Sequence, residues 1–163
     1  MDSSHFIEGT IYTPLNVNAN KINEKCLKKL PGLERVYLSA DKIIEDDQNE
    51  DFPTELLHTI SVSGLPDHEL KLKEGSPVIL IRNLQGGHSF GLRNGTRMIV
   101  LKMMDRVIEC QVAVGTQRGL CVFLPRIPMT DKSNELPFTI VRRQFPVKLA
   151  FSLTINKVRF NNY

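Results

Sequence analysis

Short β-type and helical patterns alternate over the first 66 residues. Residues 9–14 (GTIYTP) are typical of a strand, and the asparagines after them are candidate helix caps. Residues 35–40 (RVYLSA) alternate as a second strand, with Val36 and Leu38 on one face. Between the two strands, apolar residues recur every four positions and predict a helix that Pro-Gly ends: Ile22, Cys26 and Leu30.

A cluster of acids separates these elements from a second, shorter helix. Residues 45–51 contain five acids in seven positions, and their mutual repulsion predicts a solvated loop. Pro53 is suited to the first turn of a helix that carries the apolar residues of 56–60. The Gly-Leu-Pro sequence at 64–66 ends that helix.

From Leu70 onward the pattern changes to short β-rich runs separated by turn residues. The four runs are residues 77–82, 96–102, 106–114 and 120–125. With little helical periodicity between them, they predict a small barrel or sandwich inserted into a larger framework. Its predicted core consists of nine apolar residues: Leu70, Leu72, Val78, Leu80, Ile99, Leu101, Ile108, Val122 and Leu124.

After this β module the pattern becomes mixed again. Residues 137–144 form a further β-type run, and the Phe-Pro-Val sequence that follows predicts the start of a helix. In that helix Val147, Ala150 and Phe151 share one face. We expect the helix to lead directly into residues 154–157 (TINK).

Charge is distributed unevenly along the 163 residues. Residues 1–74 contain 8 Lys and Arg against 14 Asp and Glu, a balance of −6, whereas residues 75–163 contain 13 against 4, a balance of +9. A phosphate backbone attracts such a basic half, although solubility alone also accounts for scattered Arg and Lys. No run approaches the roughly 18 apolar residues of a membrane span, and no signal-peptide pattern is visible. We therefore expect an intracellular protein without a membrane partner.

The cysteines and histidines do not have the spacing of a metal site. Zinc sites use CxxC-type pairs or clustered histidines, whereas the four histidines of this chain occur singly. The three cysteines are widely spaced among apolar neighbours, which predicts reduced core thiols: Cys26, Cys110 and Cys121. We predict no metal site.

Three stretches together resemble a known family. They are TPLN with NKINEKCLKKLPG and VYLSAD (residues 13–41), SGLPDHELKLKEGSPVILIRNL with LRNGTRMIV (63–100), and ELPFTIVRRQFPVKLAFSLTINK (135–157). In this order they resemble the ATP-dependent DNA helicases of the Pif family, which includes the helicases of Helitron transposons. The resemblance extends from about residue 10 to residue 157.

The resemblance implies an α+β fold: a partial RecA-like α/β motor domain with an inserted small β-barrel of Src-homology-three type. Residues 10–62 would form the N-terminal part of the second RecA-like domain, and residues 63–134 the inserted 2B-type barrel. Residues 135–157 would return to the RecA-like domain, and residues 158–163 would be a divergent tail. The independent prediction of a β module between α/β segments agrees with this layout.

By the same resemblance, the last stretch grips single-stranded DNA. Thr154, Asn156 and Lys157 would donate hydrogen bonds and one charge to a phosphate. The alternative is that Thr154 and Asn156 only cap the end of the predicted helix.

Basic residues beside an aromatic residue form a second candidate DNA contact. Arg142 and Arg143 precede Phe145, which suits phosphate neutralisation together with base stacking. The alternative is that the two arginines alternate along a solvated edge strand. For the basic residues of the β module the two interpretations stay equally open: Arg82, Arg93 and Arg97.

The family's nucleotide-binding parts do not occur in the sequence. ATP and Mg²⁺ serve the full-length family, but this chain contains no GxxxxGK[ST] loop, and Val-Arg-Phe follows Lys157 where the family has Gln-Gly-Gln. We therefore expect no cofactor and no ATPase activity in this chain alone. The expected function is that of a helicase fragment with weak single-stranded DNA binding.

The resemblance also implies partners and processes. The missing first motor domain would be a partner, the location nuclear, and the processes DNA repair, recombination and telomere maintenance. The alternative function is a non-enzymatic protein-interaction module derived from the 2B barrel.

Overall fold

Two helices and twelve short strands make up the part of the chain that this computed structural model describes, residues 11–14, 16–44, 53–62, 64–84, 91–131, 136 and 138–154. The helices are α1 (Asn16–Lys29) and α2 (Thr54–Thr59). The strands are, in chain order, β1 (Ile11–Thr13), β2 (Arg35–Leu38), β3 (Ala40–Ile44), β4 (Glu69–Leu72), β5 (Pro77–Leu80), β6 (Arg97–Met103), β7 (Val107–Val112), β8 (Cys121–Pro125), β9 (Ile127–Thr130), β10 (Thr139–Gln144), β11 (Val147–Leu149) and β12 (Ser152–Thr154). The predicted acidic loop at 45–51 lies outside the described residues.

Both predicted helices of the first half are confirmed. Helix α1 buries the face that contains Leu27 and Leu30, and Gly32 follows it at φ 102°, a conformation that only glycine adopts without strain. Helix α2 begins directly after Pro53, as the sequence predicts. Neither helix of the described ranges is long and apolar enough to cross a membrane.

A five-stranded antiparallel sheet, in the order β11-β5-β6-β7-β8, contains the main core. The four predicted β-rich runs form its strands β5 to β8, and Gly95 makes the turn before β6 at φ 93°. Strands β2 and β4 pair with each other and add Tyr37, Leu70 and Leu72 to the same core. In the described residues β8 and β11 remain the two edges of the sheet, which does not close on itself.

Strand β6 confirms only part of the core that the sequence predicts. Ile99 is buried, as predicted, although it lies outside the main core cluster, and Leu101 is only half-buried. Met98 and Val100, which the sequence did not single out, are fully buried in that cluster. The strand is a nearly continuous apolar run, so alternation does not show which face points inward. The register also shifts between Val100 and Lys102, where the pairing with β7 is irregular.

The helix predicted after residue 145 is wrong, because this segment forms strands β11 and β12. Val147 pairs with Leu80 of β5, and both Phe145 and Val147 are fully buried. Their spacing of two residues is that of a strand. The spacing among Val147, Ala150 and Phe151 also fits a helix, and only pairing with a distant strand distinguishes the two.

Strand pairing crosses the predicted domain limits. The three-stranded sheet β3-β10-β9 joins one strand from each of the predicted segments 10–62, 63–134 and 135–157, and β11 extends the five-stranded sheet from the last of them. A second core cluster, built around Leu57, Leu65 and Ile140, packs α2 against this three-stranded sheet. The domain limits stay a prediction.

The cysteines differ in exposure. Cys110 is fully buried, and burial, with a smaller contribution from Glu109, raises the pKa of its thiol to about 12. Cys26 is half-buried, but Cys121 is exposed on the edge strand β8, so its prediction as a core thiol is wrong. All three thiols are free.

Candidate nucleic-acid interface

The predicted DNA-gripping segment begins at the end of a parallel strand pair. Strand β12 runs parallel to β1, with Thr154 opposite Thr13, and the Ile11 amide donates to the Phe151 carbonyl at 3.2 Å. Both strands therefore end on the same side, and α1 begins at Asn16, three residues beyond Thr13. In α/β sheets, ligands bind beyond the carboxyl ends of parallel strands.

Helix α1 holds β12 through one side chain, Asn23. Its Oδ1 accepts the Ser152 amide hydrogen at 2.8 Å, and its Nδ2 donates to the carbonyls of Ser152 at 3.2 Å and of Leu149 at 3.3 Å. The contacts join residues up to 129 positions apart. The sequence prediction did not single out Asn23, although a detectable signal exists: the residue lies four positions from both Ala19 and Leu27 on the buried face of the helix.

The structure describes only part of the predicted gripping motif. The backbone of Thr154 ends β12, whereas its side chain and residues Asn156 and Lys157 lie outside the description. Because a strand and not a helix precedes Thr154, the alternative that it caps a helix end is wrong.

The prediction that Arg142 contacts DNA is wrong, because its side chain is fully buried. Its guanidinium donates to the Asp41 carboxylate at 2.7 to 3.1 Å, and to the backbone carbonyls of Leu57 at 2.8 Å and of Ile60 and Pro66 at 3.0 Å. A buried guanidinium with these partners has no access to a phosphate. The predicted DNA contact by Arg142 is therefore replaced by a structural role.

Arg143 behaves differently from its neighbour. Strand β10 is the centre of its sheet and not a solvated edge strand, so successive side chains point to opposite faces, and Arg143 is exposed. Phe145 is fully buried and packs edge-on against Tyr37, with ring centroids 4.9 Å apart, so it does not offer a face for base stacking. Of this predicted cluster, Arg143 alone keeps an exposed cationic side chain.

Several arginines of the β module contact the protein itself. Arg126 lies over the rings of Tyr37 and Phe145, at 5.5 and 5.1 Å from their centroids, and donates to the Leu38 carbonyl. Arg82 donates to the Thr130 carbonyl. These contacts favour the structural interpretation of Arg82, whereas Arg93 is exposed and Arg97 half-buried.

One group of possible metal ligands occurs in the described residues: Asp41, His58 and His68, whose ligand atoms lie within 4.8 Å of one another. The imidazole rings of His58 and His68 are stacked, 3.7 Å apart and 9° from parallel. A metal ion lies in the plane of each imidazole that it binds, and two stacked planes do not converge on one point. The Asp41 carboxylate is also occupied by Arg142 and by the Ser39 hydroxyl at 2.6 Å. This arrangement does not fit a metal ion.

The same contacts assign the proton on His68. The Ser39 hydroxyl has one hydrogen, and the carboxylate of Asp41 can only accept it, so His68 Nδ1 donates to Ser39 Oγ over 2.8 Å. Burial lowers the pKa of His68, as do the His58 ring and the Arg142 guanidinium, against the opposing effect of Asp41. The folded protein therefore favours the neutral ring.

We expect the free energy of unfolding to decrease through His68 as the pH falls below 6.5. Because its pKa in the folded state is lowered from 6.5, the unfolded chain binds more protons just below that value. The contribution of neutral His68 to the free energy of unfolding is complete above pH 6.5 and is lost as the pH falls. Urea unfolding at pH 7.5 and 5.5 measures this difference. Between these pH values His68→Gln should lose less of its free energy of unfolding than the wild type. An equal loss in both proteins would contradict a neutral His68 in the folded state.

Comparison with known proteins agrees with the fold. The family model described as "DNA helicase Pif1, 2B domain" matches residues 55–103. The ATP-dependent DNA helicase PIF1 of Danio rerio is 28% identical over 162 residues, which is 95% of this chain and 23% of the relative. The chain thus spans less than a quarter of the length of this relative.

Solved structures of Pif1 helicases share the fold at low sequence identity. The crystal structure of Pif1 helicase from Candida albicans has a TM-score of 0.65 and 23% identity, covering 90% of this chain and 36% of that one. The crystal structure of Bacteroides Pif1 bound to single-stranded DNA has a TM-score of 0.60 and 24% identity, covering 90% of this chain and 31% of that one. Together, these comparisons show that residues 55–103 match the Pif1 2B domain and that the chain is similar to a segment of Pif1 helicases.

Proposed function

We propose that this chain contributes single-stranded DNA contacts to a Pif1-type helicase. The contacting residues are Thr154, Asn156, Lys157 and Arg143. The observation that carries the proposal is the parallel pairing of β12 with β1, which puts the start of the TINK sequence at the carboxyl ends of both strands. That is where extended or phosphorylated ligands meet such sheets.

The chemistry of the TINK sequence suits a phosphate backbone. A hydroxyl, an amide and an ammonium within four residues donate several hydrogen bonds and supply one positive charge. None of these groups distinguishes one base from another, so the contact would be independent of sequence. The related Bacteroides Pif1 has been crystallised with single-stranded DNA, which supports the same class of ligand for this chain.

The ATPase would lie in other parts of the helicase. No GxxxxGK[ST] loop is present in this sequence, and hydrolysis requires positioned phosphates and Mg²⁺. We therefore assign ATP and Mg²⁺ to the first motor domain, as the partner of this chain, and no ATPase activity to the chain alone. An intracellular, nuclear location and roles in repair, recombination, telomere maintenance or Helitron movement belong to the same proposal.

The detailed architecture is also proposed. Residues 63–134 would complete a barrel of Src-homology-three type, between parts of a second RecA-like domain at 10–62 and 135–157, with a divergent tail at 158–163. The five-stranded sheet and its single core support the barrel. The parallel pair β1–β12 and the α1 helix packed against it support the RecA-like part.

We expect weak DNA binding that depends strongly on salt. Three cationic contacts would give a slope of log affinity against log salt near −2, at about −0.7 per contact for single strands. Because Arg142 is buried, only Arg143 and Lys157 remain, and the slope should be about −1.4. Fluorescence anisotropy of a labelled oligonucleotide at several salt concentrations measures it.

Matched variants make this measurement specific. Lys157→Ala should lessen the slope by roughly 0.7 and weaken all DNA sequences alike. Asn156→Ala should weaken binding without changing the slope, because it removes no charge. Lys102→Ala, at an exposed lysine of β6, should leave both quantities unchanged. A wild-type chain that fails to bind even at low salt would exclude the proposed contact.

The second candidate function is a protein-interaction module. Its supporting observation is a set of exposed apolar side chains on the β module and on β2, namely Phe123, Val36 and Leu38 at 46%, 45% and 53% exposure. Absence of DNA binding in the experiment above would favour this candidate.

A further inference from the structure

One side chain satisfies the outward-facing backbone of β12. In a strand, the amide and carbonyl of one residue point to the same side, and those of the next residue to the other. Phe151 directs its carbonyl to β1, whereas both backbone groups of Ser152 face α1 and bind the amide of Asn23. Asn23 therefore occupies the place that a neighbouring strand would otherwise fill.

An asparagine at a buried position of a helix is unfavourable for stability unless its side chain forms hydrogen bonds. It is a weaker helix former than alanine or leucine, and burying its amide is costly without partners. Asn23 is 8% exposed, lies on the face of α1 that also buries Leu27, and bonds the backbone of Ser152 in β12 and of Leu149 in β11. An apolar residue would suit the helix and the packing, but it would leave the Ser152 amide and carbonyl without these bonds.

We propose that Asn23 is a positioning residue for DNA binding. It fixes the backbone of Ser152, two residues before the TINK sequence begins at Thr154. The inference rests on the proposed DNA contact at that sequence, and it adds that α1 controls the contact through Ser152, which is 129 residues from Asn23. Asn23 itself need not touch DNA.

Ser152 offers a closely matched control. Its side chain is 1% exposed, and its Oγ has no hydrogen-bond partner. Ser152→Ala therefore removes a hydroxyl beside Asn23 but keeps both backbone bonds to the Asn23 amide. Ile140→Val is a second control, because it loosens the cluster around α2, which contains neither α1 nor β12.

The test compares oligonucleotide affinity and its salt slope in the full chain. Asn23→Ala should raise the dissociation constant by about tenfold, because the backbone before Thr154 is no longer ordered before DNA binds. It should keep the wild-type salt slope, because it removes no charge. Ser152→Ala should bind like the wild type. Asn23→Leu, which places a larger apolar group with the same branching at this position and favours the helix, should reproduce the loss if Asn23→Ala does not fold.

The outcomes separate this inference from the proposed function. Wild-type binding with unchanged affinity in Asn23→Ala and Asn23→Leu overturns the positioning role and leaves the DNA contact standing. Each variant is measured at the same number of degrees below its own melting temperature. If Ile140→Val then weakens binding as much as Asn23→Ala does, a general loss of stability explains the effect and the inference is wrong. No binding by the wild type overturns both.

Discussion

Arg142→Met should lower the free energy of unfolding by about 3–5 kcal/mol, because it leaves a buried carboxylate without its counter-ion. The side chain of Asp41 is fully buried beside Arg142, and the carbonyls of Leu57, Ile60 and Pro66 lose a donor as well. Arg143→Met changes the same residue type at the next position of β10, where the side chain is exposed. It should cost less than about 0.5 kcal/mol.

Urea unfolding of both variants measures the difference. A double variant, Arg142→Met with Asp41→Asn, removes the unpaired charge and should recover part of the stability. DNA affinity offers an independent check, since Arg142→Met should leave the salt slope unchanged and Arg143→Met should lessen it by about 0.7. Equal stabilities for the two single variants would contradict the buried ion pair.

Leu80→Asp should unfold the five-stranded sheet, at a cost on the order of 3 kcal/mol or more for a buried, unpaired carboxylate. Leu80 is fully buried in the main core and pairs with Val147 of β11. Ile79→Asp is the matched control, because Ile79 is only half-buried and points to the opposite face.

Thermal melting followed by far-ultraviolet circular dichroism distinguishes the two variants. We expect Ile79→Asp to retain a cooperative transition at a modestly lower temperature, and Leu80→Asp to lose the transition or shift it far lower. A Leu80→Asp chain that melts like the wild type would show that the register of β5 is wrong.

Local patterns determined much of the fold. Helix α1 and strands β5 to β8 follow from the spacing of apolar residues and from turn residues such as Gly95. These signals are reliable because each depends on neighbours within a few positions. The family resemblance also depended on sequence alone, and the match of residues 55–103 to the 2B domain confirms it.

Tertiary structure decided the features that depend on distant partners. The segment after Phe145 has a spacing compatible with a helix, but its contacts with β5 and β1 make it two strands. Similarly, the two adjacent arginines have the same local signal, and the central place of β10 in its sheet sends them to opposite faces. The face of Arg142 is covered by distant partners, among them Asp41, 101 residues away.

The candidate site divides in the same way. The sequence by itself determined the TINK motif and its chemistry, because hydroxyl, amide and ammonium groups are properties of single residues. The tertiary structure decided that a parallel strand carries Thr154 and that Asn23 bonds the backbone before it. Strand pairing and buried hydrogen bonds require groups far apart in the chain to meet, and no local pattern specifies where they meet.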